Sequence, residues 1–265
     1  MSAPTPESLP LAATSPWARL VDDASGRPRG PESGLVGTVV VRDTDLPGVR
    51  DLHVPLTVVL SGGAGQLAGP LGLAARTGLR VAAVEITLRD LDDLPGNARR
   101  VLAAADSARD QGVLDDETTL YVELPGHLGP GWLRAADELA AAELRLTLRT
   151  ETADADGLAA RIDAALDRET PFRCTGDLDR AVRHQDRHGF ANVLLATRRA
   201  FDGADRETVV ATLAERDPDV LVEALRGEEL LAGARRWFTS FTSSEPERPL
   251  AELRVLGLVA EDGPR

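Results

Sequence analysis

The carboxylates and arginines embedded in apolar runs are the residues best placed to do chemistry. Glu85 stands in AAVEI and Glu123 in LYVEL, positions that cost free energy unless the carboxylate is paired or functional. Strand alternation puts Glu85 on one face with Ala83 and Thr87, and Glu123 on one face with Tyr121. If those faces line a barrel, the two carboxylates meet Arg149 and Arg173 from neighbouring strands. Such an array suits an anionic substrate or a hard divalent cation. It equally suits a set of structural ion pairs. Asp22 and Asp23 join it from the N-terminal side, with a loop or helix cap as their plainer role.

A second concentration of polar groups runs from Pro171 to Asn192, PFRCTGDLDRAVRHQDRHGFAN. Arg173 and Thr175 alternate with Phe172 and Cys174 as in a half-buried strand, whose C-terminal end would lie at a barrel mouth. Arg183, His184, His188 and Asn192 follow. Together they read as an anion site beside a titratable imidazole, with His184 as general acid or base. Ser240 and Ser243 supply hydroxyl donors from a later strand. His53 and His127 are expected at the surface, and no HxH or HExxH spacing points to zinc. The segment from Gly62 to Gly69 follows a strand and opens a helix, with Glu85 about 20 residues on, as in a dinucleotide fingerprint. Glu85 lies inside its strand instead of at the ribose end, so a tight βα turn or a phosphate-cradling helix start is the better reading.

The totals exclude several classes. The net charge is −13, and no basic stripe is present for nucleic acid or anionic membrane. No apolar run reaches the roughly 20 residues that span a bilayer, and no signal-peptide pattern opens the chain; a soluble, cytoplasmic protein is expected. All 30 Lys and Arg residues are arginine. Without lysine there is no Schiff base, no lysine-bound pyridoxal phosphate and no Walker-type phosphate loop. The single cysteine, Cys174, allows no intrachain disulfide and is best read as core packing.

Apolar runs and turn signals then place these groups on elements. Residues 1–15, rich in Pro, Ser and Ala, read as a disordered lead, and residues 16–265 as one domain. Strands are expected at Gly34–Val41, His53–Leu60, Leu79–Leu88, Thr119–Leu124, Leu144–Leu148, from Pro171, and at Arg235–Thr242. Helices fill most intervals, with Trp17–Val21 as a docked apolar patch. The alternation of strand and helix implies parallel pairing by right-handed crossovers. The expected fold is an α/β, (β/α)8-like barrel of about seven strands, with an open parallel Rossmann-like sheet as the alternative.

Several segments resemble a family of uncharacterised actinobacterial proteins that look like (β/α) barrels. These are Leu20-Val21-Asp22-Asp23-Ala24, Phe172 with Thr175, Ala181-Val182-Arg183-His184, His188-Gly189-Phe190, Asn192-Val193-Leu194, and Ser240-Phe241 with Ser243. The resemblance implies a lysine where Arg173 stands, a lysine where Thr147 stands, and a histidine pair where Asp179 and Arg180 stand. This chain is a divergent member at those points.

The combined expectation is a barrel enzyme, a lyase or isomerase, acting on a small anionic metabolite. Arg149 and Arg173 would clamp the anion, and Glu85 and Glu123 would hold a cation or take the second proton role. The alternatives are a non-catalytic ligand- or protein-binding module and an NAD(P)-dependent oxidoreductase.

Overall fold

A computed structural model describes residues 15–26, 34–50, 52, 54–176 and 178–260. The disordered lead expected over residues 1–15 falls, apart from Ser15, outside the described residues, as does His53. Eight parallel strands pair in sequence order and close on themselves. They are β1 (Val21–Asp23), β2 (Val36–Arg42), β3 (Leu56–Leu60), β4 (Val81–Thr87), β5 (Thr119–Glu123), β6 (Arg145–Arg149), β7 (Phe172–Thr175) and β8 (Phe238–Ser243). The barrel replaces the open-sheet alternative, and the strand missing from the sequence reading is β1. Its three residues include two aspartates, so no apolar alternation marks it. What shows it is pairing, with Val21 opposite both Val36 and Phe241.

Helices α1 (Ala68–Thr77), α2 (Leu94–Asp110), α3 (Pro130–Ala141) and α4 (Ala155–Leu166) follow β3 to β6 in turn. After β7 the chain makes three, α5 (Phe190–Phe201), α6 (Arg206–Ala214) and α7 (Pro218–Gly227), and α8 (Glu247–Val255) follows β8. Local chemistry explains the starts. Asp93, Asp154, Asp205 and Asp217 each cap a helix by accepting a backbone N–H in its first turn. Among the described residues, the β1–β2 and β2–β3 connections contain no α-helix. The second carries only a 3₁₀ turn at Leu46–Gly48 and walls one side of the barrel mouth.

Alternation sorts the strand residues into two sets. The outward set is aliphatic and aromatic, including Val39, Val58, Val84, Ile86, Val122, Leu146, Leu148 and Phe172, all buried under the helices. The inward set is mostly polar, and registers align it: Asp22 opposite Thr38, Val59 opposite Glu85, Thr147 opposite Arg173. Barrels of this kind are usually filled by branched aliphatic layers; here the apolar core is the ring between strands and helices. In β8 the pairs Phe172–Phe238 and Cys174–Phe241 enclose one extra residue. This bulge lets Thr239 and Ser240 both reach inward partners, Tyr121 and Asp22. Phe238 and Phe241 stay outside, and Phe241 stacks on Phe190 at 4.9 Å.

Candidate functional site: the mouth and interior of the barrel

Arg173 occupies the middle of the barrel with no exposed surface. Its guanidinium forms an ion pair with Glu85 and lies 3.5 Å from Asp22 Oδ2. It also sits over the Tyr121 ring, 4.9 Å from the centroid, an attraction that grows when desolvated. Burial pulls the guanidinium below its ordinary pKa, and Asp22 opposes that shift. The Nε and Nη1 atoms have no hydrogen-bond acceptor among the described residues, nor do the Thr147 and Thr175 hydroxyls have a partner.

The three interior carboxylates differ in how fully they are used. Asp22 accepts from Thr38 and from Ser240, each at 2.6 Å. Glu123 accepts from Thr87 at 2.9 Å and from Arg149 through both oxygens, Nε at 2.7 Å and Nη2 at 2.9 Å. Hydrogen bonding to Glu123, then to Glu151, raises the Arg149 pKa above its ordinary value against the effect of burial. Glu85 meets Arg173 Nη2 through Oε2, and its other oxygen, Oε1, accepts a hydrogen bond from no described residue.

Above Glu85 lies a cavity of about 770 Å³ that opens at the C-terminal end of the barrel. Glu85, Thr175 and Thr242 bring polar groups to it, Val40, Val59 and Leu52 supply an apolar wall, and Arg42 and Arg50 reach it from β2 and the connection after it. Arg42 is exposed and has no acidic partner among the described residues. Arg50 instead donates to the Pro47 and Val49 carbonyls at 2.6 and 2.7 Å, which braces the loop.

Seven of the thirteen residues singled out in the sequence therefore meet inside the barrel: Asp22, Glu85, Glu123, Arg149, Arg173, Thr175 and Ser240. The structure does not bring the other six into that interior. Asp23 points outward and accepts from the Ser25 N–H at 2.8 Å. Ser243, opposite it in register, donates to Asp179 at 2.5 Å. His184 lies exposed in a turn closed by paired backbone bonds with Arg187. His188 is buried between the Ala153 carbonyl, 2.8 Å from Nε2, and Arg183 Nη1, 3.1 Å from Nδ1. Asn192 donates to the carbonyls of Thr212 and Glu215 and accepts from the Arg183 N–H, so its amide joins α5 to α6. These groups stitch a loop to the body.

Glu85 and Glu123 each face an arginine instead of a shared cation position. Among the described residues no three His, Cys, Asp or Glu side chains form a metal-ion site. Cys174 faces the outer core, where burial raises its thiol pKa, which suits packing. The segment from Gly62 to Gly69 is a βα turn of the barrel with a 3₁₀ step at Ala64–Gln66 before α1. The residues missed in the sequence, Arg42, Val59 and Thr242, carry the signal that found Glu85: each alternates with inward neighbours once its strand is phased. Thr147 and Arg173, where the resemblance implies lysines, are register partners on one inward pair.

The chain matches no protein-family model and no curated protein. Fold and site define its class: a closed, parallel, (β/α)8-like barrel with an ionic interior and a polar-floored mouth. No helix among the described residues is long and apolar enough to cross a membrane.

Proposed function

We propose that the protein binds a small anionic metabolite in the mouth cavity and moves a proton on it, as a lyase or isomerase does. The observation that carries this reading is the contrast among the three interior carboxylates. Asp22 and Glu123 are filled by protein donors through both oxygens, whereas Glu85, held by Arg173 at Oε2, lines the cavity with an Oε1 that accepts from no described residue. General acid–base catalysis needs a titratable group within hydrogen-bond reach of the substrate; Glu85 is that group. Arg42 attracts the anion from the rim, and the Thr175 and Thr242 hydroxyls orient it. Arg173 acts through Glu85 as a positioning residue, and Arg149 serves Glu123. The exposed His184 is left without a catalytic part.

The test is a thermal-shift screen against carboxylated and phosphorylated metabolites, since a ligand of the native state raises apparent stability. Compounds that bind are then followed in deuterated water for exchange of carbon-bound hydrogen. Arg42→Gln is expected to reduce the shift, and Glu85→Gln to abolish exchange. A panel in which no anion raises the melting temperature sinks the reading.

The Arg173–Glu85 ion pair favours a second reading, a ligand-binding module without turnover, because a carboxylate held on a buried guanidinium can serve architecture alone. It predicts binding with no exchange.

A further inference from the structure

We infer that the ligand of the mouth is a short aliphatic hydroxy- or amino-carboxylate that enters donor end first, its hydroxyl or ammonium on Glu85 and its carboxylate on Arg42. This rests on the reading of the mouth as an anion site and specifies what the rest of the anion must be.

The registers give the layout. Arg42 is opposite Val59, and Val59 is opposite Glu85. Three neighbouring strands thus present a guanidinium, an isopropyl group and a carboxylate in one inward row. Neighbouring strands lie about 4.8 Å apart, so the outer two backbones are separated by roughly 10 Å. The depth differs along the row: Glu85 is 5% exposed, while Arg42 stands at the open rim.

Each position selects a different chemistry. At Glu85 the ligand group must be a donor, because Oε2 is held by Arg173 while Oε1 has lone pairs that no described residue uses, and a second anion there would face them. The unpartnered Thr175 hydroxyl beside it can accept or donate as required. In the middle, Val59 and Val40, with Leu52 from the loop, offer nothing to a polar atom and favour methylene groups. At the rim the Arg42 guanidinium, which has no acidic partner among the described residues, matches one carboxylate in bidentate geometry, while Arg50 is spent on the loop carbonyls. Asp45 stands in the same rim and offsets one of its two cations, Arg42 and Arg50, which leaves a single positive charge and favours a monoanion over a phosphate dianion.

The measurement is isothermal titration of the purified full chain with 4-hydroxybutyrate, 4-aminobutyrate, butyrate and succinate. The expected order has one or both donor-bearing compounds at least about tenfold tighter than butyrate, with succinate weakest, since a site with an unfilled polar group discriminates against the analogue that cannot fill it. Arg42→Gln is expected to weaken the donor-bearing compounds about tenfold, and Glu85→Gln to erase their advantage over butyrate. Should Glu85→Gln fail to fold, Val59→Phe reads the same row: it fills the apolar middle and is expected to abolish binding with the charged ends unchanged. Butyrate or succinate binding as tightly as the donor-bearing pair overturns this inference and leaves the anion site standing. Failure of all four overturns the inference too, whereas only failure of the whole metabolite panel overturns the anion site itself.

Discussion

A guanidinium with no exposed surface has to be compensated from inside the protein, and Arg173 shows what that demands of its neighbours. Asp22 and Glu85 supply charge, and Tyr121 supplies a π face. Removing the cation leaves two buried carboxylates facing one another. Arg173→Met is therefore expected to cost about 3–5 kcal/mol in urea denaturation, and Arg173→Met with Glu85→Gln to cost less, because the uncompensated charge falls. Equal losses in the single and double variants would count against this account. His188 offers a pH test. Burial, and then Arg183, hold its pKa below the ordinary 6.5, while the bond to Ala153 opposes them. With the folded value depressed, the unfolded chain binds the proton more readily. The His188 contribution is thus complete above pH 6.5 and is lost as pH falls from there toward the folded value. Urea midpoints taken from about pH 7.5 down to about pH 5 should fall more steeply in wild type than in His188→Gln. Parallel curves would show that the imidazole titrates alike in both states.

Among the elements, strands β2 to β8 were legible in the sequence because each is a short apolar run bounded by turn residues. Alternation, given a barrel, put Glu85 and Glu123 on inward faces with Arg149 and Arg173; that Glu123 takes Arg149 of the next strand while Glu85 reaches Arg173 across the barrel depends on closure and register. The segment between β7 and α5 was not legible, since closeness in sequence to Arg173 and Thr175 says nothing about where its side chains are anchored. Arg183, His188 and Asn192 bond to Ala153, Thr212, Glu215 and one another, partners that only tertiary packing brings within reach. Gly189 is the hinge of that packing, at the N-cap of α5. A Cβ there would lie 2.4 Å from the Ala181 carbonyl and 2.6 Å from the Arg183 nitrogen. Gly131, in the first turn of α3, has nothing within 4 Å of such a Cβ. Gly189→Ala is expected to destabilise by about 1–3 kcal/mol through backbone displacement. Gly131→Ala is expected to stabilise by about 0.4–1 kcal/mol by restricting the unfolded chain. Thermal melts of the two variants decide it, and opposite signs are required.

At the scale of the whole molecule, closure is the feature with the least material behind it. The seam between the first and last strands rests on three residues of β1, held by Phe241 N–H to the Leu20 carbonyl at 2.9 Å and Ala24 N–H to the Ser243 carbonyl at 2.8 Å. Among the described residues neither the β1–β2 nor the β2–β3 connection adds an α-helix of its own. Asp22 compensates for that brevity by crossing the seam. One oxygen takes Thr38 of β2, the other takes Ser240 of β8, and the charge faces Arg173 of β7. A residue first noticed as a candidate for chemistry thus also ties four strands, which explains why two adjacent aspartates can stand in a strand at all. Asp22→Ala removes the tie and part of the compensation for Arg173 together, whereas Asp22→Asn keeps the hydrogen-bonding capacity and loses the charge. In native-state hydrogen exchange, Asp22→Ala is expected to release the amides of Val21 and Phe241 well before those of Val84 and Val122 on the opposite side of the barrel. Asp22→Asn should release them less. A uniform loss of protection around all eight strands would mean that the barrel opens as one unit and that its seam carries no separate weakness.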